Sequence, residues 1–129
     1  QHKHLPEMTA VCDLTRTPVF DPYVCDYYCG MTVTVPLFAD LLAKRVTAAD
    51  VKELLTAHYA GQRFVAVAQE DGYIAANTLS GTNRMELLVN GNNERILLTA
   101  RLDNLGKGAS GAAIQNMNIA LGLDEGVSL

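Results

Sequence analysis

At 129 residues the chain has room for one domain around a single hydrophobic core. Apolar residues make up 49% of it, yet no apolar run approaches the roughly 18 residues of a spanning helix, so a soluble globular domain is expected rather than a membrane span. Ten basic residues against fourteen acidic ones give a formal charge of −4 with no basic stripe, which argues against nucleic acid as a partner.

His2-Lys3-His4-Leu5 leads into Pro6-Glu7-Met8, which reads as the first turn of a short helix. Proline loses nothing at an early helical position and an acid there suits the helix dipole. The helix should end before Thr15 to Pro18, and Val19 to Val24 is a short extended run broken by Pro22. After Gly30, apolar Met31, Val33 and Val35 alternate with Thr32 and Thr34. That is the mark of a strand with one buried and one wetter face, and Pro36 interrupts it or places it at an edge. Leu37 to Leu42 fits either a continuing strand or a helical turn.

Thr47-Ala48-Ala49-Asp50 is a capping-box-like start, and Val51, Leu54, Leu55, His58 and Tyr59 then recur at helix-face spacing until Gly61. His58 falls on that apolar stripe and is expected to be packed and hydrogen-bonded. Phe64 to Ala68 reads as a short buried strand. Arg84 to Asn90, a turn at Gly91-Asn92-Asn93, and Glu94 to Leu102 read as a hairpin. Its inward set is Met85, Leu87 and Val89, then Ile96, Leu98, Ala100 and Leu102. Leu88 and Leu97 interrupt the opposite, polar face, so a self-association surface is expected there. Five or six strands with two or three helices in mixed order fit an α+β domain: a mixed, largely antiparallel sheet with helices on one face.

Asp103-Asn104-Leu105-Gly106-Lys107-Gly108-Ala109-Ser110-Gly111 joins the hairpin to a last helix, roughly Gly108 to Leu121. Small residues allow close backbone approach, and a helix start offers free N–H groups and a favourable dipole to negative charge. The junction therefore reads as a floor for an anionic or amide-bearing ligand, or else as a small-residue helix packed tightly on a sheet. Along the helix Ile114, Met117 and Leu121 share one side; Gly111, Gln115 and Asn118 share another. Cys12, Cys25 and Cys29 are odd in number, with no secretory signal, which fits a reducing cytoplasm rather than a disulfide framework. Cys25 and Cys29 with His2 and His4 make a poor structural zinc set, so no metal is expected and the thiols are read as partly buried small hydrophobes.

Asp103-Asn104-Leu105 with Lys107-Gly108-Ala109, Gln115-Asn116-Met117-Asn118 and Leu121-Gly122-Leu123 resembles the C-terminal signature of the N-acetyl-gamma-glutamyl-phosphate reductases, in their shorter-chain subgroup. His2-Lys3-His4-Leu5-Pro6-Glu7 is similar to the family's His-x-His-x-Pro-Glu segment. Phe20-Asp21-Pro22, Gly30-Met31 and Ser80-Gly81-Thr82-Asn83 fall between in the family's order, so the resemblance covers essentially the whole chain. It implies the C-terminal fold shared by glyceraldehyde-3-phosphate dehydrogenase and the semialdehyde dehydrogenases, whose open sheet face commonly makes the subunit contact, and it favours a strand over Leu37 to Leu42. Neither a Gly-rich dinucleotide motif nor a Gly-Cys-Tyr-Pro-like turn with the family's nucleophilic cysteine is present. Residues 1–129 are accordingly expected to be the substrate-binding and dimerisation domain of a longer enzyme, without the N-terminal NADP-binding domain and inactive alone; the resemblance implies that the Gly111, Gln115 and Asn118 face of the last helix looks outward to that other domain.

The reaction the resemblance implies is reduction of N-acetyl-glutamyl 5-phosphate to N-acetyl-glutamate 5-semialdehyde with NADPH, in arginine biosynthesis. A cysteine thiolate from the other domain would attack the acyl phosphate, with a histidine as acid and base. His2 is the first candidate for that role and His4 the second, or a substrate ligand. Glu7 would orient an imidazole or bind substrate, and Lys107 would meet phosphate or balance local charge. Asn104 and Gly108 are the expected cofactor contacts, Asn104 because its amide complements the nicotinamide carboxamide. Many relatives carry arginine where Cys29 stands, which leaves Arg16, Arg84 and Arg101 as unassigned phosphate ligands. Expected partners are the acyl phosphate and phosphate, the chain's own nucleotide-binding domain, and further copies in a homodimer or homotetramer. The alternatives are an aspartate-semialdehyde dehydrogenase-like domain, against which His2 to Glu7 speaks, and a non-catalytic self-association module.

Overall fold

A computed structural model of the chain describes residues 2–69 and 72–129. Helix α1 spans His4–Val11, with Glu7 in its first turn. Strand β1 is Met31–Phe38 and is followed by a single 3-10 turn at Ala39–Leu41. Helix α2 is Ala48–His58, β2 Val65–Val67, β3 Met85–Gly91 and β4 Arg95–Leu102. A π-helical turn at Gly106–Ser110 leads into α3, Gly111–Ala120. The α+β class and the mixed sheet are as expected, but the strands among the described residues number four. Val19 to Val24 forms no strand, and the Leu37–Leu42 stretch leaves the sheet after Phe38.

The strand order is β1-β4-β3-β2, with β1/β4 and β4/β3 antiparallel and β3/β2 parallel. Pro36, which cannot donate to a ladder, sits in the edge strand β1. Register and alternation assemble one wholly apolar face: Val65 and Val67, then Met85, Leu87 and Val89, then Leu98, Ala100 and Leu102, then Met31, Val33 and Val35. On the other face Glu86 lies opposite Arg101 and Leu88 opposite Thr99, whose hydroxyl meets that of Thr34 at 2.9 Å. Leu88 is 1% exposed and belongs to the domain's own core; Leu97 is 38% exposed. The self-association patch expected at both residues is thereby reduced to Leu97 on that face. On the apolar face Ile96 and Leu102 are buried, whereas Val33 and Val35 are about half exposed, at 47% and 50%.

Arg101 is 2% exposed and so cannot be a phosphate ligand at the surface. Its Nε donates to Glu86 Oε2 at 3.1 Å and its Nη2 pairs with the same oxygen. Its Nη1 reaches the Thr78 hydroxyl at 3.2 Å and the Ala75 carbonyl at 3.4 Å, which pins the loop before β3 across the sheet.

The capping box is present as the sequence predicts. Thr47 Oγ1 accepts from the Asp50 N–H at 3.1 Å, and the Asp50 carboxylate accepts from the Thr47 N–H at 2.8 Å. The Thr47 backbone N–H, and after it the hydroxyl, hold the Asp50 carboxyl below its usual range. The Ala48 N–H also donates to Asn93 Oδ1 at 3.2 Å, tying the start of α2 to the hairpin turn, and α2 lies against β2 and β3. Thr47→Ala is expected to cost about 1 kcal/mol, read as a lower urea midpoint at unchanged slope. An unchanged midpoint would show that the cap contributes nothing. His58 departs from expectation: it is exposed, and its ring meets the Tyr59 edge with centroids 4.7 Å apart. Leu54, on the same stripe, is also 67% exposed, whereas Val51, Leu55 and Tyr59 are half-buried, so the buried face of α2 is narrower than the spacing suggests.

Candidate active site

The two histidines come together. His2 and His4 have ring centroids 4.7 Å apart, and Phe20 completes a small aromatic cluster at 4.6 Å from His2 and 6.2 Å from His4. The His4 backbone N–H donates to His2 Nδ1 at 3.3 Å. That nitrogen therefore offers its lone pair, and a neutral His2 carries its proton on Nε2. Both nitrogens of His4 are left for other partners among the described residues. Glu7 is exposed in the first turn of α1, one turn on from His4.

The second assembly is built on Asp103, 2% exposed at the end of β4. Its Oδ1 accepts from the N–H of Leu105 at 2.7 Å and of Gly106 at 2.9 Å, and its Oδ2 from the N–H of Gly81 at 2.5 Å. The Asp103 carbonyl accepts from the Gly108 N–H at 2.8 Å. Of the donors expected at this helix start, those of Leu105, Gly106 and Gly108 are thus already met by Asp103 itself. Hydrogen bonds from Gly106, Gly81 and Leu105, with the Cys29 thiol adding a weaker one, bring the Asp103 pKa down to about 2 against the cost of desolvation. A folded pKa below the unfolded one means the carboxylate stabilises the fold above pH 3.8, and this contribution is lost as pH falls towards 2.

Asn104 follows directly, and its Oδ1 accepts from the Gly30 N–H at 2.8 Å. Gly30 has φ +122°, and a Cβ there would meet Asn77 Cα at 2.6 Å, so only glycine brings this backbone to the asparagine without strain. On the same peptide, the Cys29 carbonyl accepts from Ser80 Oγ at 2.9 Å. Asn104 and Gly30 line a cleft of about 290 Å³ with Tyr23, Tyr27, Tyr28, Cys25 and Cys29. Cys12 and Cys25 are exposed rather than packed; Cys29 is half-buried. A larger cleft of about 750 Å³ lies at the hairpin-turn end, beside Phe38, Leu42, Arg45 and Arg95, and none of the candidate site residues lines it.

Lys107 points along the domain rather than at this cleft. Its Nζ sits 5.7 Å from the Phe64 ring centroid and donates to Gln115 Oε1. Gln115 Nε2 donates in turn to Glu125 Oε2 at 2.8 Å. Asn118 is 2% exposed, and its Nδ2 donates to the carbonyls of Val127 at 2.9 Å and Glu125 at 3.2 Å. A Cβ on Gly111 would collide with the Asn83 amide, which accounts for glycine at that close approach. The amide face of α3, expected to look outward to another domain, is therefore packed inside, and Met117, Ile119 and Leu121 are more than half exposed. The chain after α3 reverses the faces because its carbonyls supply the partners that buried amides need.

Sequence reasoning missed Asp103, whose carboxylate sits two and three residues before the N–H groups it meets, a spacing legible as a local turn. It also missed the Glu86 and Arg101 pair, which the hairpin register places directly opposite one another. Among the described residues no group of three or more His, Cys, Asp or Glu side chains could hold a metal ion, and no helix is long and apolar enough to cross a membrane.

Residues 1–104 match the family model of the semialdehyde dehydrogenase dimerisation domain. The chain is 48% identical to an N-acetyl-gamma-glutamyl-phosphate reductase of Allorhizobium ampelinum, over 94% of this chain and 41% of that protein. It is 41% identical to one from Trichormus variabilis, over 99% of this chain and 43% of that protein. One from Rhizobium etli is 46% identical over 93% of this chain and 41% of its own length. The chain spans about two fifths of the length of the curated relatives it matches.

Proposed function

Because the chain belongs to the semialdehyde dehydrogenase dimerisation-domain family, we propose that it is the substrate-binding and subunit-contact part of an oxidoreductase reducing N-acetyl-glutamyl 5-phosphate to N-acetyl-glutamate 5-semialdehyde. The observation that carries this reading is identity of 41% to 48%, across 93% or more of the chain, to reductases named for that substrate. The cofactor is NADPH, the compartment the cytoplasm, and the remaining partner the protein's own nucleotide-binding domain. The exposed apolar side of α3 supports such a docked domain.

When bound, the nicotinamide supplies hydride to the acyl carbon. The residues present fit its carboxamide: with Oδ1 held by Gly30, Asn104 keeps its Nδ2 donor for a carbonyl oxygen at the cleft. Gly108 leaves room for backbone approach but gives its N–H to Asp103. The histidines divide the proton work. His2, with Nδ1 accepting, presents Nε2–H and hydrogen-bonds a substrate oxygen; His4 takes and returns the proton at the thiol and the developing alkoxide. This inverts the order of preference drawn from sequence alone, and its basis is the tautomer that the His4 N–H imposes. Glu7 orients the His4 ring or meets substrate. Lys107, bridged through Gln115 to Glu125, balances local charge rather than holding phosphate.

The test is NADPH oxidation by the full-length protein with N-acetyl-glutamyl phosphate and with aspartyl phosphate as competing substrates. Preference for the first is expected; preference for the second, or no turnover with either, would overturn the reading.

Self-association follows from the apolar sheet face. A patch containing half-exposed Val33 and Val35 on an edge strand is what a twofold contact between copies would cover. Val35→Lys is expected to shift the protein from dimer to monomer in sedimentation at micromolar concentration. A dimer that persists unchanged in this variant would place the contact elsewhere.

A further inference from the structure

The cleft beside Asn104 is shaped by groups that never touch a ligand there. We propose that Asp103 is a positioning residue: its buried carboxylate ties the loop before β3 to the π-helical turn, and through Ser80 that loop holds the chain before β1, so that Gly30 can lock the Asn104 amide with Nδ2 towards the cleft.

Two segments far apart in sequence meet on the one carboxylate. Gly81 arrives on Oδ2, and Leu105 and Gly106 arrive on Oδ1. Ser80, beside Gly81, holds the Cys29 carbonyl, and so fixes from the far side the peptide whose N–H meets Asn104. A backbone N–H can bond only the oxygen of an amide, so the Gly30 contact decides the flip of Asn104 and leaves it a donor. The ligand group selected is consequently one that accepts, a carbonyl oxygen. This rests on the reading of Asn104 as a cofactor contact.

In the full-length protein, Asp103→Asn sets an NH2 against backbone N–H donors and should loosen the knot. In the free protein the side-chain NH2 resonances of Asn104, dispersed in the wild type, should collapse towards averaged values in this variant, and affinity for NADPH should fall about tenfold or more. If Asp103→Asn does not fold, Ser80→Ala releases the same peptide and should give a smaller loss, about threefold. The 3-acetylpyridine analogue of the cofactor keeps the carbonyl and lacks the NH2, and it should bind the wild type within about threefold of NADPH. Asn104→Ala separates the two ideas. If it weakens NADPH binding while Asp103→Asn, or Ser80→Ala in its place, leaves both the resonances and the affinity unchanged, the positioning role is overturned and the cofactor contact stands. If Asn104→Ala has no effect on binding, the contact itself is wrong and the positioning role falls with it. An analogue that binds more than tenfold worse than NADPH would overturn the assigned direction of the amide.

Discussion

In the full-length protein, His4→Asn is expected to lower kcat by about 100- to 10,000-fold, the range for loss of a general acid or base, or roughly 2.7 to 5.5 kcal/mol of transition-state stabilisation. His2→Asn is expected to act differently. A residue that hydrogen-bonds a substrate oxygen in both ground and transition states contributes mainly to KM. Asparagine ends at the position of Nδ1 and loses the Nε2–H donor, so KM should rise while kcat stays within about tenfold. The distinction rests on one bond, the His4 N–H to His2 Nδ1 at 3.3 Å, which makes Nδ1 an acceptor and fixes the His2 tautomer. Steady-state kinetics of the two variants, each with its pH profile, decide it. The limb of the profile belonging to the acid or base should vanish in His4→Asn and persist in His2→Asn. The opposite assignment of the two effects would return the proton role to His2, and two variants with normal kinetics would remove the pair from the site.

The features legible in the sequence were those set by neighbours along the chain. The Thr47 and Asp50 cap needs three residues and a helix, and the structure has it. The alternation through Met31 to Val35 and through the hairpin fixed which residues share a face, and Pro36 signalled an edge. What the sequence could not specify was who satisfies whom across the fold. The small-residue junction after Asp103 carried the pattern of an anion site, but the anion that meets its donors is Asp103 itself. Gln115 and Asn118 resembled an outward amide face, and they turned inward because the chain around Glu125 and Val127 returns to accept from them. His58 had the right spacing for the core, but the buried face of α2 is narrower than its apolar stripe and leaves both Leu54 and His58 exposed. The family resemblance brought His2, His4 and Asn104 forward; the division of labour between them came only from hydrogen-bond partners.

Glu86→Ala is expected to destabilise the fold by about 1.5 to 3 kcal/mol, the range for losing hydrogen bonds to a buried charged group. Arg101 is almost wholly buried, and its Nε and Nη2 both address the one carboxylate oxygen of Glu86 across the β3/β4 ladder. Removing Glu86 takes away the carboxylate oxygen that both nitrogens address, in a place water reaches poorly. Urea unfolding at neutral pH should show a midpoint lowered in proportion, at an unchanged slope. The reverse change is expected to be milder. Arg101→Met gives up the ion pair but removes the buried charge with it, and replacing a buried pair member by an apolar residue of similar volume avoids much of the penalty when its partner can reach solvent. Glu86, with a side chain 19% exposed, has that route where Arg101, at 3%, does not. The loop held by Arg101 through Thr78 and Ala75 should also loosen in Arg101→Met, visible as faster amide exchange before β3 with the sheet itself intact. If Glu86→Ala were as stable as the wild type, the pair would contribute nothing net to the fold. The burial of Arg101 would then be carried by its contacts with the loop.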